Sequence, residues 1–206
     1  MSFFKNTRNL VATGILGAIG AILMFLNLNI PSIMPVFIKF DFSELPAVIA
    51  AFAFGPIGGI MVCLVKNFLN FIFASGTQGV GELSNFILGC AYVIPAGLIY
   101  KKHRKFKGAI IGALVGSLTS AFVSFFSNYF LIYPLFTLTG LSMEAIITMY
   151  TAVFPKITKL WQALLYFNVP FTFIKGLLTS IVTFLVYKRI SPILKGKKKH
   201  VDATQG

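Results

Sequence analysis

The sequence predicts an all-α, polytopic membrane protein built from six transmembrane helices. Of the 206 residues, 57% are hydrophobic and only 11% are charged, whereas soluble domains carry roughly 25% charged residues. The mean hydropathy is +0.86, and the apolar segments have the length of helices joined by short connections. We therefore expect a single membrane domain over residues 1–200, followed by a disordered tail over 201–206.

Charges and helix-breaking residues delimit the spans. The six predicted spans cover residues 10–26, 44–54, 57–74, 82–100, 108–135 and 161–187. Ser43 is suited to cap the second span, and the break at Gly55 and Pro56 separates it from the third. Between the first two spans, Pro31 and Pro35 prevent a continuous helix, so residues 27–42 are expected to form a loop or cap at the membrane surface.

A longer connection separates the last two spans, over residues 137–159. Within it, Ser142 is expected to open a short amphipathic helix that Pro155 ends.

The distribution of positive charge predicts the orientation in the membrane. Thirteen of the 18 lysines and arginines lie near the N-terminus, in residues 101–107 or in residues 188–199. Six spans would place all three regions on one side, with only Lys39, Lys156 and Lys159 on the other. Because cytoplasmic loops are enriched in Lys and Arg, both termini are expected in the cytoplasm. Orientation in an anionic bilayer explains the net charge of +13, so nucleic-acid binding is not expected.

One lysine, Lys175, lies inside the last apolar run. A charged side chain within the bilayer is costly unless it has a polar partner or a water-filled cavity, so such a lysine indicates a functional site. Thr172 lies three residues earlier on the same helix face. Asn128 falls late in the fifth span and therefore in the outer half of the bilayer. We predict that Lys175 and Asn128 meet and bind a ligand there.

Four further polar residues are candidates for the same site. Asn85 begins the fourth span on the outer side, and Asp41 ends the first loop. Lys66 and Asn70 are four residues apart and share one face of the third span. These residues either line an external pocket for a neutral, polar, aromatic solute or form interhelical contacts that only hold the bundle together.

Small residues recur at helical spacing in the first span. Gly14 and Ala18 form one pair, and Gly17 and Ala21 form another. Such a pattern allows close helix approach. It indicates either ordinary packing within the chain or a docking face for a partner subunit in the membrane.

Several motifs are missing from the sequence. It has no G-x-x-x-x-G-K-[ST] phosphate loop and no H-E-x-x-H metal motif, so we expect no ATP hydrolysis, no catalytic residues and no metal ligands. Cys63 and Cys90 lie in apolar segments without a C-x-x-C spacing and are interpreted as small core residues. A binding protein without its own energy source is the function that these features favour.

A combination of short segments carries a family resemblance. These are FDFSELPA at 40–47, FGP at 54–56, VKNFLN at 65–70, SNY at 127–129 and PFTFIKG at 170–176. Together they resemble the riboflavin-specific S component of energy-coupling factor (ECF) vitamin transporters. The resemblance implies a six-helix subunit of the bacterial cell membrane that binds riboflavin as a transported ligand, with no cofactor. It also implies a separate module with a transmembrane scaffold subunit and two ABC-type ATPases.

The resemblance also assigns roles to residues. Asn128 and Lys175 match binding positions of the family, whereas Thr172 stands where a relative has asparagine. The small-residue face of the first span resembles the family's scaffold-docking face. The first loop would close over the vitamin, and ATP hydrolysis in the module would tilt the subunit to release it inside. An S component for another vitamin, or an intramembrane enzyme acting on lipids, are the alternative functions.

Overall fold

A computed structural model describes residues 3–29, 35 and 38–195 of the chain. The predicted disordered tail over 201–206 lies outside the described residues, as do residues 30–34 and 36–37 of the first loop and the side chains of residues 187–195. The described part of the chain is helical. A short 3₁₀ turn, Phe3–Lys5, is followed by α1 (Thr7–Phe25), α2 (Glu44–Phe54), α3 (Pro56–Ala74), α4 (Val80–Lys102), α5 (Phe106–Leu138), α6 (Met143–Val153) and α7 (residues 160–195).

Five of these helices have the length and composition needed to cross a membrane: α1, α3, α4, α5 and the Leu160–Val186 part of α7. Their outer surfaces carry large exposed apolar side chains such as Phe68, Phe122 and Ile181, as expected for contact with lipid. The all-α membrane fold is therefore confirmed. The second predicted span is an apolar helix of only 11 residues, or about 17 Å, shorter than the roughly 30 Å hydrocarbon core.

The short helix α2 lies at the centre of the bundle. Residues 46–52 are all buried, because α1, α3, α4 and α7 pack around the helix. A helix that is apolar on every face is stable only when it is buried on every face. The predicted side-chain cap at Ser43 is wrong, since its hydroxyl accepts a hydrogen bond from Lys66 instead. The N–H of Ser43 donates to the Asp41 carboxylate at 2.8 Å.

Two π-helical turns interrupt the long helices, at Asn128–Ile132 in α5 and at Leu164–Asn168 in α7. Each ends two residues before a proline, which lacks an N–H and disturbs the preceding turn. The N–H of Tyr133, just before Pro134, reaches back to the carbonyl of Asn128. The N–H of Val169, just before Pro170, likewise reaches Leu164. The prolines therefore explain where the turns occur, and such turns are frequent at functional sites.

The small-residue pairs of α1 point in two directions. Gly17 and Ala21 are buried, and Gly17 lies so close to α3 that a Cβ atom there would meet Val65 at 2.5 Å. Gly14 and Ala18 are exposed on the outer face. The structure thus uses one pair for packing within the chain and leaves the other pair accessible.

This geometry predicts different effects on stability for two matched substitutions. Gly17→Ala is expected to destabilise the protein by about 1–3 kcal/mol, because overpacking against a stiff β-branched side chain forces the helices apart. Gly14→Ala is expected to be neutral, since nothing lies within 4 Å of its added Cβ. Thermal unfolding of the purified protein in detergent measures both. Equal midpoints for the two variants would contradict the close α1–α3 contact.

Candidate functional site

One cavity of about 270 Å³ lies between the first loop and helices α3, α4, α5 and α7. Ligand sites for drug-sized molecules span roughly 300–1,000 Å³, so the cavity is just below the lower limit of that range. Six of the seven residues predicted to bind a ligand line it: Asp41, Asn70, Asn85, Asn128, Thr172 and Lys175. Four helices and a loop that are far apart in sequence therefore bring the predicted polar groups to one place. Their roles in binding remain predictions.

Lys175 forms an ion pair with Asp41. The Nζ to Oδ2 distance is 3.0 Å, and the two side chains are 14% and 4% exposed. Asn128 and Asp41 were both predicted for the same site as Lys175, and in the structure the Asp41 carboxylate is the direct partner of the ammonium. Burial raises the pKa of Asp41, but the ammonium groups of Lys175 and Lys66 and the hydrogen bonds from Ser43 outweigh it and hold this pKa below its usual range. Both groups line the cavity.

Lys66 lies outside the cavity lining. Its side chain is fully buried, and Nζ donates to the carboxylate of Glu44 and, at 2.9 Å, to the hydroxyl of Ser43. Glu44, in contrast, lines the cavity. The structure therefore places Lys66 behind the site, in the interhelical contact that was the alternative interpretation of this residue.

Four uncharged polar side chains of the lining have no hydrogen bond to the described part of the chain. These are Asn70, Asn85, Thr172 and Thr179, of which Asn70 is only 7% exposed and Thr179 is fully buried. Asn128 accepts a bond from the Ser84 hydroxyl at 3.3 Å, and its amide nitrogen has no described partner. Because buried polar groups are nearly always hydrogen-bonded, these donors and acceptors fit a polar ligand.

Asn168 and Glu82 are among the polar residues of the lining that were not predicted from the sequence. Asn168 closes a buried ring of hydrogen bonds. It donates to the Tyr133 hydroxyl at 2.9 Å, the two tyrosine hydroxyls bond to each other, and Tyr150 donates back to the Asn168 oxygen. The ring ties α5, α6 and α7 together. An asparagine two residues before Pro170, inside an apolar span, was the signal that could have identified it.

Aromatic and aliphatic groups form the apolar part of the wall. Phe171 stacks on Phe167 with ring centroids 5.7 Å apart, and its other neighbour is Phe40 of the first loop, at 6.4 Å. Phe136 and Ile132 of α5 complete this side. A cavity with aromatic walls and convergent polar groups is suited to a flat ligand with polar edges.

Comparisons with known proteins place the chain in a family. Residues 8–187 match the model of the ECF transporter substrate-specific component. The chain belongs to that family. The solved structure described as the S component of a bacterial ECF transporter superimposes with a TM-score of 0.71 at 33% identity, covering 92% of this chain and 98% of that one.

Among curated proteins, this S component is similar to two that are named riboflavin transporters. The transporter RibU of Staphylococcus aureus (strain TCH60) is 32% identical over 93% of this chain and 94% of its own length. FmnP of Bacillus subtilis (strain 168) is 30% identical, with coverages of 94% and 97%. The family match and the five long apolar helices together identify the S component as a multi-pass transport protein of the bacterial cell membrane.

Proposed function

We propose that this S component binds riboflavin with high affinity and mediates its uptake. The observation that carries the proposal is the cavity, which combines stacked aromatic rings with Asn128, Thr172 and Lys175. The similar proteins named riboflavin transporters cover more than nine-tenths of the chain, which supports the same ligand here.

The chemistry of riboflavin matches the two halves of the lining. Its isoalloxazine ring is flat and aromatic, which suits packing against Phe171 and Phe136. Its ring carbonyls and nitrogens and its ribityl hydroxyls need donors and acceptors. The ammonium of Lys175 and the side-chain amides of Asn70, Asn85 and Asn128 supply both kinds, and Thr172 adds a hydroxyl. Asp41 contributes by holding Lys175 in place.

The subunit has a binding role rather than an enzymatic one, and a separate module supplies the energy. We propose as partners a transmembrane scaffold and two ABC-type ATPases, in agreement with the family. Both termini are proposed to lie in the cytoplasm, because Lys and Arg are concentrated at the two ends of the chain and cytoplasmic segments are enriched in these residues. Gly14 and Ala18 are accessible for docking to the scaffold in the state described, whereas Gly17 and Ala21 are buried and Gly17 packs against α3.

Binding is tested directly with the purified subunit. We expect riboflavin to be carried through purification in detergent, giving flavin absorbance, and we expect added riboflavin fluorescence to be quenched on binding. A thermal-shift screen of other vitamins is the control for specificity. A larger shift with another vitamin, together with unquenched riboflavin, would show that the ligand has been assigned wrongly.

A further inference from the structure

Acidic side chains are rare in this chain and concentrate at the cavity. The sequence has five Asp and Glu residues, and three of them, Asp41, Glu44 and Glu82, line the cavity. Asp41 and Glu44 each pair with a lysine. Glu82 is 7% exposed and has no cation within ion-pair distance in the described part of the chain. It therefore brings an uncompensated negative charge to the site.

The hydrogen bonds of Glu82 fix its position at the start of α4. Its Oε2 atom accepts bonds from the Ser75 and Thr77 hydroxyls, at 3.1 Å and 3.0 Å. Those hydroxyls accept in turn from the N–H groups of Gly79 and Gly81, both at 3.0 Å. Oε1 has no hydrogen-bond partner among the described residues. One carboxylate oxygen is thus held by the loop, while the other stays available at the cavity.

The Glu82 carboxylate and its hydrogen-bonded hydroxyls occupy the N-terminus of α4, where an anionic group of a ligand would otherwise be most stable. Free N–H groups at a helix N-terminus attract phosphates, and Gly76, Thr77 and Gly81 around the start of α4 all line the cavity. Here two hydroxyls already occupy the N–H groups of Gly79 and Gly81. The Glu82 carboxylate supplies the negative charge that favours a helix N-terminus.

We propose that Glu82 determines specificity by charge: it accepts hydrogen bonds from the hydroxyls of a neutral flavin and repels the phosphomonoester of the same flavin. This inference rests on the proposed riboflavin site. Like charges placed together in a partly buried site strongly disfavour a ligand, and the cavity is small enough for the carboxylate to act on its whole content. The unpartnered, buried amide of Asn70 in the same lining also fits a neutral polar group.

The other charged groups of the lining do not cancel the preference for a neutral flavin over its phosphate. The Asp41–Lys175 pair and the Glu44 carboxylate with its Lys66 partner are each neutral as pairs. Lys39 also lines the cavity, but it is exposed. Its charge is therefore screened by salt far more than that of a buried group.

The test compares riboflavin with riboflavin 5′-phosphate by fluorescence quenching on the purified protein. We expect the wild type to bind the phosphate at least tenfold more weakly than riboflavin. Glu82→Gln keeps an acceptor for Ser75 and Thr77 and is expected to narrow that ratio by roughly tenfold, equivalent to about 1.4 kcal/mol. Glu82→Asp keeps the charge and is expected to keep the ratio. Glu144→Gln removes the same charge from an exposed site on α6 and is the matched control.

The outcomes separate the two proposals. A wild type that fails to bind riboflavin refutes the proposed function, and the inference fails with it. If Glu82→Gln binds riboflavin as well as the wild type does and the ratio of its affinities for riboflavin and riboflavin 5′-phosphate is unchanged, the inference is overturned while the proposed function stands. Equal wild-type affinities for the two flavins also overturn it, even if Glu82→Gln does not fold.

Discussion

Replacing Lys175 with alanine is expected to weaken riboflavin binding at least tenfold, a loss of about 1.4 kcal/mol or more. The substitution removes the ammonium donor from the cavity. It also leaves Asp41, which is 4% exposed, without its cation, and an unpaired buried carboxylate is strongly unfavourable. Fluorescence quenching of riboflavin measures the affinity, and thermal unfolding of the ligand-free protein measures the second effect.

Two control variants separate these effects. In the Lys175→Ala, Asp41→Asn double variant the unpaired charge is gone, so the unfolding midpoint is expected to recover while riboflavin binding stays weak. Lys39→Ala removes a lysine from the same lining, but an exposed one, and is expected to change the affinity less than about threefold because such charges are screened. Recovery of full affinity in the double variant would show that Lys175 serves only to neutralise Asp41.

Removing the anion that neutralises Lys66 is expected to have the largest effect on stability. Glu44→Gln leaves a fully buried ammonium whose direct partners, the Ser43 hydroxyl and the new amide oxygen, are both neutral. Breaking a buried ion pair in this way costs about 3–5 kcal/mol. Thermal unfolding in detergent, followed by the loss of the helical circular dichroism signal, measures the change.

The double variant Glu44→Gln, Lys66→Met provides the matched comparison. An apolar side chain of similar size often replaces a buried ion pair without loss of stability, so most of the wild-type unfolding midpoint should return. The unfolding midpoint of Lys66→Met alone should lie between those of Glu44→Gln and the double variant. The Glu44 carboxylate then lacks its cation, but its side chain is 13% exposed at the cavity and retains some access to water. A Glu44→Gln variant as stable as the wild type would contradict the predicted cost.

Local sequence patterns were sufficient to predict the five long apolar helices. Largely apolar runs mark α1, α3, α4, α5 and α7 to within a few residues, because the bilayer imposes their length and composition. The same pattern did not show that α2, predicted as a span, is too short to cross the bilayer. Pro134 and Pro170 were visible in the sequence, but their consequence was not. Whether a proline kinks a helix or widens a turn depends on which neighbours satisfy the freed carbonyl.

The site was harder to predict than the fold, because its partners are distant in sequence. Lys175 was identified from its apolar surroundings, yet Asp41, its partner, is 134 residues away. Lys66 had the same signal as Lys175, and only the packing of α2 against α3 shows that it lies behind the cavity. Glu82 looked like an ordinary residue of a first helical turn, where acidic side chains are common.

The two π turns constrain how this subunit can diverge. A π turn holds one residue more than an α turn, so it is equivalent to a one-residue insertion in the helix. It therefore determines the direction, around the helix axis, in which all later side chains of the helix point. Deleting one residue within Leu164–Asn168 would rotate Thr172 and Lys175 by about 100° and turn the ammonium away from the cavity. Homologous chains that keep the site are therefore expected to change here by substitution, with the spacing between each turn and its proline held constant.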